Sequence, residues 1–318
     1  MKAKVLVLLL TVLAFSAFSQ TKKEAYDAYN NAVSTYKQNP KGALDDLNKS
    51  LDICKQLGED ADEVRVAVEG LIPSVYFQQA MVSYKQKDLQ GTLDNLEKAK
   101  ETALQYENNS IVDRVDKTIP KLYNVMGNSK FKEDKFDEAI KNYSKAIAIN
   151  PDYVDPYVGL TLSYEKMGND DKMIETLNKT IEIAEKNNNA EVLSNTKIKA
   201  KAFYLKKADE AQKEKKYDEV VALLDDAIKY DEYDTDIYRL MAINYNRLER
   251  WEEGITAASK ALELSKGTAD QKAELYFLLA TAYQNSNKVN EACEAYKNAS
   301  YGAFKPNADY QIKQLKCQ

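Results

Sequence analysis

A unit of 34 residues recurs along this chain, and a repeat of that length restricts the fold more than any other feature of the sequence. It is clearest from Pro120 to Tyr153. Tyr123, Met126 and Gly127 stand at helical spacing, Phe131 follows, and Asp134-Lys135 interrupts the pattern. Phe136, Ala139, Ile140, Tyr143, Ala146, Ile147 and Ile149 then recur every three or four residues until Asn150-Pro151. Two amphipathic helices joined by a tight turn account for this order. Gly127 and Ala139 are small where the two helices must approach, and Ala146 is small where the second helix meets the next unit. Pro151 cannot continue a helix and so opens the following turn.

The pattern returns seven times, at about 24–57, 73–106, 120–153, 154–187, 201–234, 235–268 and 273–306. Markers such as Tyr157, Tyr164 and Gly168, then Tyr238, Ala242 and Tyr245, then Tyr276, Ala280 and Tyr283, hold the register. Glu138-Ala139, Tyr143, Lys145-Ala146 and Pro151 give the unit an Ala, aromatic, Ala, Pro order that closely resembles the tetratricopeptide repeat. The resemblance covers about Glu24 to Pro306. It implies an all-α, right-handed superhelical solenoid. The degenerate first unit reads as a cap, and residues 307–318 read as a short closing helix, with Ile312 and Leu315 on one face beside Tyr310 or Ala308.

The spacing is uneven in an ordered way. Units at Val154 and Thr235 follow their predecessors by 34 residues, whereas those at Pro73, Pro120 and Lys201 follow by 49, 47 and 47. Val64, Val68 and Leu71, and then Ile111, Val115 and Ile119, keep helical spacing ahead of the prolines. The extra residues are therefore expected to add or lengthen a helix, kinked or restarted at Pro73 and Pro120. Gly58–Asp62, Asn108–Ser110 and Asn187–Asn189 read as the turns before it.

Composition removes several function classes. The chain has no His, the commonest general base and zinc ligand. It has no glycine-rich phosphate loop. Asp45-Asp46 and Asp225-Asp226 are neighbours in sequence and diverge around a helix. Asp231–Asp236 lacks the spacing and the Gly of a calcium loop. No catalytic residue, cofactor or metal site is expected, and the chain is read as a non-enzyme. A net charge of -5 with no clustered basic face gives no reason to expect nucleic acid. Most of the 22 Tyr fall where a repeat needs core packing. Cys293 and Cys317 fall on the last repeat's second helix and the closing helix, where they can meet, and Cys54 reads as a small core residue.

Residues 1–19 read as a cleaved signal peptide: Lys2 and Lys4, an apolar run over 5–14, then Ala17, Phe18 and Ser19. The mature chain would start at Gln20. A leader ending Phe-Ser-Gln resembles those of exported Bacteroidota proteins, which implies a periplasmic, outer-membrane-associated or secreted location. The remaining sequence shows no span long and apolar enough for a bilayer.

By the repeat resemblance, the first helix of each unit lines a concave groove. The lining expected to meet a partner is a polar stretch of Asn124, Asn128 and Lys132, and an apolar stretch flanked by positive charge at Arg239, Ile243, Arg247, Phe277 and Thr281. Asn124 and Asn128 match part of the Lys, Arg and Asn cluster with which some members hold acidic C-terminal peptides, but Val158, Leu162 and Asp209 break it. The expected function is an exported scaffold or adaptor binding a protein or peptide. The alternatives are a structural subunit of an envelope machine, of secretion or gliding type, and an exported enzyme or small-ligand receptor.

Overall fold

The computed structural model describes residues 21–318, so the expected leader at 1–19 lies outside the described residues. The described residues are 84% helical and contain no strand. The helices run in order: α1 (Lys22–Thr35), α2 (Pro40–Leu57), α3 (Asp62–Lys85), α4 (Leu89–Gln105), α5 (Asn109–Lys132), α6 (Phe136–Ile149), α7 (Val154–Met167), α8 (Asp170–Lys186), α9 (Ala190–Lys213), α10 (Tyr217–Ala227), α11 (Thr235–Arg247), α12 (Trp251–Leu264), α13 (Ala269–Asn285), α14 (Val289–Ala299) and α15 (Lys305–Gln314). This is an all-α helical repeat. One compact unit ends at Asp170, and a second comprises Asp171–Gln318.

One turn joins the two helices of six repeats, and the same turn also ends α4 and α8, at Glu107 and Asn188. After α3, α5, α7, α9, α11 and α13 the middle residue takes a left-handed conformation, at Lys87, Asp134, Gly168, Lys215, Glu249 and Asn287. The next amide then reaches back five residues to a helix carbonyl, for example Lys135 to Lys130 at 3.0 Å and Arg250 to Tyr245 at 2.9 Å. That bond satisfies a carbonyl that a helix end otherwise orphans. Only Gly168 adopts this φ without cost; the other five positions bear side chains and carry some strain. Starts are capped by the residues that favour it: Asn39 before Pro40, Asp88, Asn108, Asn189 and Asp234, with reciprocal capping boxes at Thr21/Glu24 and Thr268/Gln271.

The added residues lengthen existing helices. α3, α5 and α9 are each 24 residues, and α3 and α5 run unbroken through Pro73 and Pro120 instead of restarting there. Val64, Val68 and Ile72 pack in the core of the first unit against Leu47 and Ile53, and Ile111, Val115 and Ile119 pack with Leu93 and Leu96. Burying both prolines in that packing offsets the backbone bond each removes.

Small residues set the helix separations. Ala139, Ala146 and Ala261 are fully buried. The ring of Tyr143 on α6 lies between Gly127 on α5 and Gly159 on α7, and its hydroxyl donates to Asn128 Oδ1 at 2.8 Å. In the second unit α15 closes the core through buried Ala308, with Ile312 and Leu315 against it, while Tyr310 faces out. A disulfide joins Cys293 on α14 to Cys317 beyond α15, and Ser300 holds the Asp309 carboxylate from the other side. Cys54 is buried in the first unit.

Candidate functional site

In the first unit Asn124, Asn128 and Lys132 follow one another down one side of α5. Asn124 is only 7% exposed. Its amide donates to the Tyr153 hydroxyl at 3.2 Å, and its Oδ1 has no partner among the described residues. Burial, helped by the Asp155 carboxylate, pushes the Tyr153 hydroxyl up to about 12, so it stays protonated. Asn128 is exposed but spends one acceptor on Tyr143. Lys132 is exposed and has no ion pair among the described residues. This polar strip is therefore partly committed to the fold.

Beside it lies a cavity of about 200 Å³ lined by Met81 and Tyr84 of α3, Thr92 of α4, and Thr118, Lys121, Leu122 and Val125 of α5. Tyr84 is 46% exposed. Lys121, one turn before Asn124 and Val125, carries the charge at its mouth. The repeat pattern alone did not reveal this crevice. Thr118 belongs to the added part of α5, and its proximity to Tyr84 depends on how the long helix lies against α3 and α4. The readable signal was an unusual apolar residue, Val125, between two asparagine positions.

The second unit departs from the expected open apolar stretch flanked by positive charge. Arg239 is neutralised by Asp236 and Glu274, each at 3.3 Å. Phe277 meets Tyr296 edge-on at 5.5 Å and is covered by Phe304 at 5.6 Å. Thr281 donates to the Phe277 carbonyl at 2.9 Å and touches the Tyr296 hydroxyl. Arg247 is exposed and lies over the Tyr217 ring at 5.2 Å, and Ile243 is half-buried. The structure thus brings Arg239 to Glu274 and Phe277 to Thr281, so that at these positions only Arg247 keeps an exposed cation without an ion pair among the described residues, and it lies against the Tyr217 ring. Asp236 was readable as an i−3 partner of Arg239; Glu274, one repeat on, was not.

The acidic stretch Asp231–Asp236 has a structural duty. Asp231 and Asp234 both accept from the Lys201 ammonium at 2.8 Å, and Asp234 also caps α11. Burial pushes the Asp234 carboxyl up, but Lys201 and the capping amides outweigh it and hold it below its usual range. Two further cavities occur in this unit. One of about 350 Å³ lies along the first half of α9 with Tyr230, and one of about 300 Å³ is lined by Tyr238, Met241, Tyr245 and Lys260 among others. Among the described residues no group of three or more His, Cys, Asp or Glu could hold a metal ion. No helix among them is long and apolar enough to cross a membrane.

Two stretches match family models: residues 127–168 a TPR repeat model and residues 273–301 a tetratricopeptide repeat model. Both fall where the left-handed turn and the small-residue contacts recur, and they support the assignment of these repeats to the tetratricopeptide class. Over 92 residues the chain is 36% identical to Hsp70-Hsp90 organizing protein 3 of Arabidopsis thaliana, covering 29% of this chain and 15% of that protein. Over 192 residues it is 28% identical to the Hsp70-Hsp90 organising protein of Plasmodium falciparum (isolate 3D7), covering 60% of this chain and 28% of that one. The chain thus spans less than a third of the length of these relatives. Among solved structures, the TPR2AB-domain:pHSP90-complex of yeast Sti1 aligns at 16% identity and a TM-score of 0.33, covering 93% of this chain and 98% of that one. The Arabidopsis OM64 TPR domain aligns at 20% identity and a TM-score of 0.34, covering 38% and 97%.

Proposed function

We propose that this chain is an exported scaffold or adaptor that binds a protein partner in a bacterial envelope, in the periplasm, at the outer membrane or outside the cell. One observation carries the binding reading. The first unit keeps an apolar crevice uncovered, with Tyr84 exposed and Lys121 lining it. Repeats of this class expose long surfaces suited to macromolecules and need no deep pocket. Tetratricopeptide repeats mediate protein–protein interaction, and the relatives above are named for organising two other proteins. Export rests on the leader at residues 1–19 and is supported by the Cys293–Cys317 bridge, which suits an oxidising compartment.

A second reading, a structural subunit of an envelope machine, is favoured by exposed apolar residues on the lengthened helical hairpins: Val66, Leu104 and Ile198 are each about 60% exposed. The two readings separate by photo-crosslinking in the native cell, from Val125 in the crevice and from Leu104 on the hairpin. The adaptor reading expects partner adducts from Val125. Adducts from Leu104 alone would favour the structural subunit. N-terminal mass analysis of native protein tests export, with Gln20 expected at the start; intact Met1 on cytoplasmic protein would refute it.

A further inference from the structure

Residues 300–318 fold back over the last repeat with little buried surface of their own. Ala308 is their only fully buried residue. Ile312 and Leu315 are half-buried against the core of the second unit, and the half-buried Phe304 rests on Phe277. Helix α15 has 10 residues, below the length at which an isolated helix holds in water. The segment's polar bonds are largely its own: the Asp309 carboxylate accepts from Ser300 and pairs with Lys305 at 3.2 Å. Beyond these apolar contacts, the Cys293–Cys317 bond ties it to α14, together with the Lys297 ammonium, which donates to the Gln318 carbonyl at 2.6 Å.

The surface beneath the segment is apolar and shaped to it. Phe277 of α13 meets Phe304 from above and Tyr296 of α14 edge-on, and Tyr296 is 1% exposed. Ala292, Ala295 and Ala299 of α14 are buried in the same core as Ala308. The turn at 302–304 is fitted to its place: Gly302 takes a left-handed φ of 48° and lies against Asp270 of α13 with no room for a Cβ. Phe304, Ala308, Ile312 and Leu315 recur every three or four residues and so form one helical stripe. The face of α13 and α14 is thus complementary to a helix that carries an aromatic, a small and two aliphatic residues in that order.

We propose that residues 300–317 are a redox-latched cover over an interaction face of α13 and α14, and that reduction of the Cys293–Cys317 bond opens this face to a partner protein's helix of the same pattern. The reductant is a dithiol. Its thiolate attacks Cys317 Sγ, because Cys293 is buried and Cys317 only half-buried. The S–S bond breaks and Cys293 Sγ leaves as a thiolate. The second sulfur of the dithiol then displaces Cys317 and the reagent departs as a disulfide, its two protons remaining on the two cysteine thiols. Losing a crosslink that closes a sequence separation of 24 multiplies the open population by about a hundredfold or more. The released segment and the partner's helix then compete for one face, so the partner's affinity follows the open fraction. This face belongs to the second unit and is a different site from the crevice beside Val125.

The test is fluorescence anisotropy with the full mature chain and a fluorescein-labelled peptide of the sequence 300–316, which stops before Cys317. No binding is expected to the oxidised protein. Saturable binding is expected after reduction with dithiothreitol, and in the Cys317→Ser variant without reductant. A peptide carrying Phe304→Ser and Ile312→Ser should bind at least about tenfold more weakly. Amide exchange should accelerate over 305–314 on reduction and stay slow over 269–299. Equal binding to oxidised and reduced protein would overturn the proposal, as would no saturation of the reduced protein up to millimolar peptide. Exchange that accelerates across α13 and α14 as well would also overturn it, because the bridge would then hold the repeat itself and not a cover. A dimer of the reduced protein that excess peptide fails to dissociate would reassign the face to a second copy of the chain. Crosslinking from Val125 tests the crevice separately, so either reading can fail while the other stands.

Discussion

Replacing glycine by alanine inside a helix normally stabilises it by about 0.5–1 kcal/mol, because Gly loses more backbone freedom on folding. At Gly127 and Gly159 the sign should reverse. A Cβ on Gly127 would stand 2.5 Å from Tyr143 Cε1, and one on Gly159 would stand 2.4 Å from Tyr143 Cζ. Carbon atoms pack best about 3.5–4.0 Å apart, so either methyl must displace the ring by about 1 Å or more. The ring has nowhere to go: Tyr143 is buried, wedged from both sides, and tied to Asn128 through its hydroxyl. Overpacking of this kind costs about 1–3 kcal/mol, which leaves a net loss of about 1–2 kcal/mol after the backbone gain. Gly70 on α3 is the internal control. Nothing lies within 4 Å of its Cβ position, so Gly70→Ala should gain about 0.5–1 kcal/mol. Repeat arrays do not always unfold in one step, so denaturation midpoints should be read together with amide exchange across α5–α7. If Gly127→Ala and Gly159→Ala raise the midpoint as Gly70→Ala does, the close approach around Tyr143 is not what fixes these helices.

Ala146→Leu and Ala261→Leu insert bulk at fully buried contacts and should each cost about 1–3 kcal/mol in urea denaturation, while the exposed Lys141→Glu should stay within about 0.5 kcal/mol. Reducing the Cys293–Cys317 bridge, which closes a sequence separation of 24, should remove about 3–4 kcal/mol from the end of the array. Amide exchange should accelerate over 305–314 and not in the first unit; thiol labelling of all three Cys in unreduced, denatured protein would show that the bridge is not formed. Lys201→Met should cost about 1–2 kcal/mol at neutral pH by stranding Asp231 and Asp234. Because the folded Asp234 carboxyl sits below its unfolded range, its contribution is complete above that range and is lost as pH falls through the folded value. The deficit of Lys201→Met, measured by denaturation at pH 7 and pH 3, should therefore shrink in acid; a constant deficit would contradict the assignment.

The helical repeat was legible because its cues are local. Asp134-Lys135, the small residues at 127, 139 and 146, and the 47-residue shift relating Pro73 to Pro120 each state a turn, a contact or a lengthened element within one window of sequence. The continuity of α3 and α5 through their prolines was not legible, because tertiary burial decides it. The candidate site was less readable still. Asn124 and Phe277 occupy lining positions of the repeat, yet Tyr153 and Phe304, which lie far along the chain, cover them. Arg239 loses its free charge to Glu274 on the next repeat. The crevice at Tyr84 and Val125 arises from a helix lengthened beyond the repeat, so no repeat position predicted it.

The most direct test of the account is photo-crosslinking in the native cell with a benzophenone side chain placed in turn at Val125 and at Lys141. A discrete protein adduct is expected from Val125 and none from the exposed Lys141 of α6. An adduct from Lys141 with Val125 silent would contradict the account.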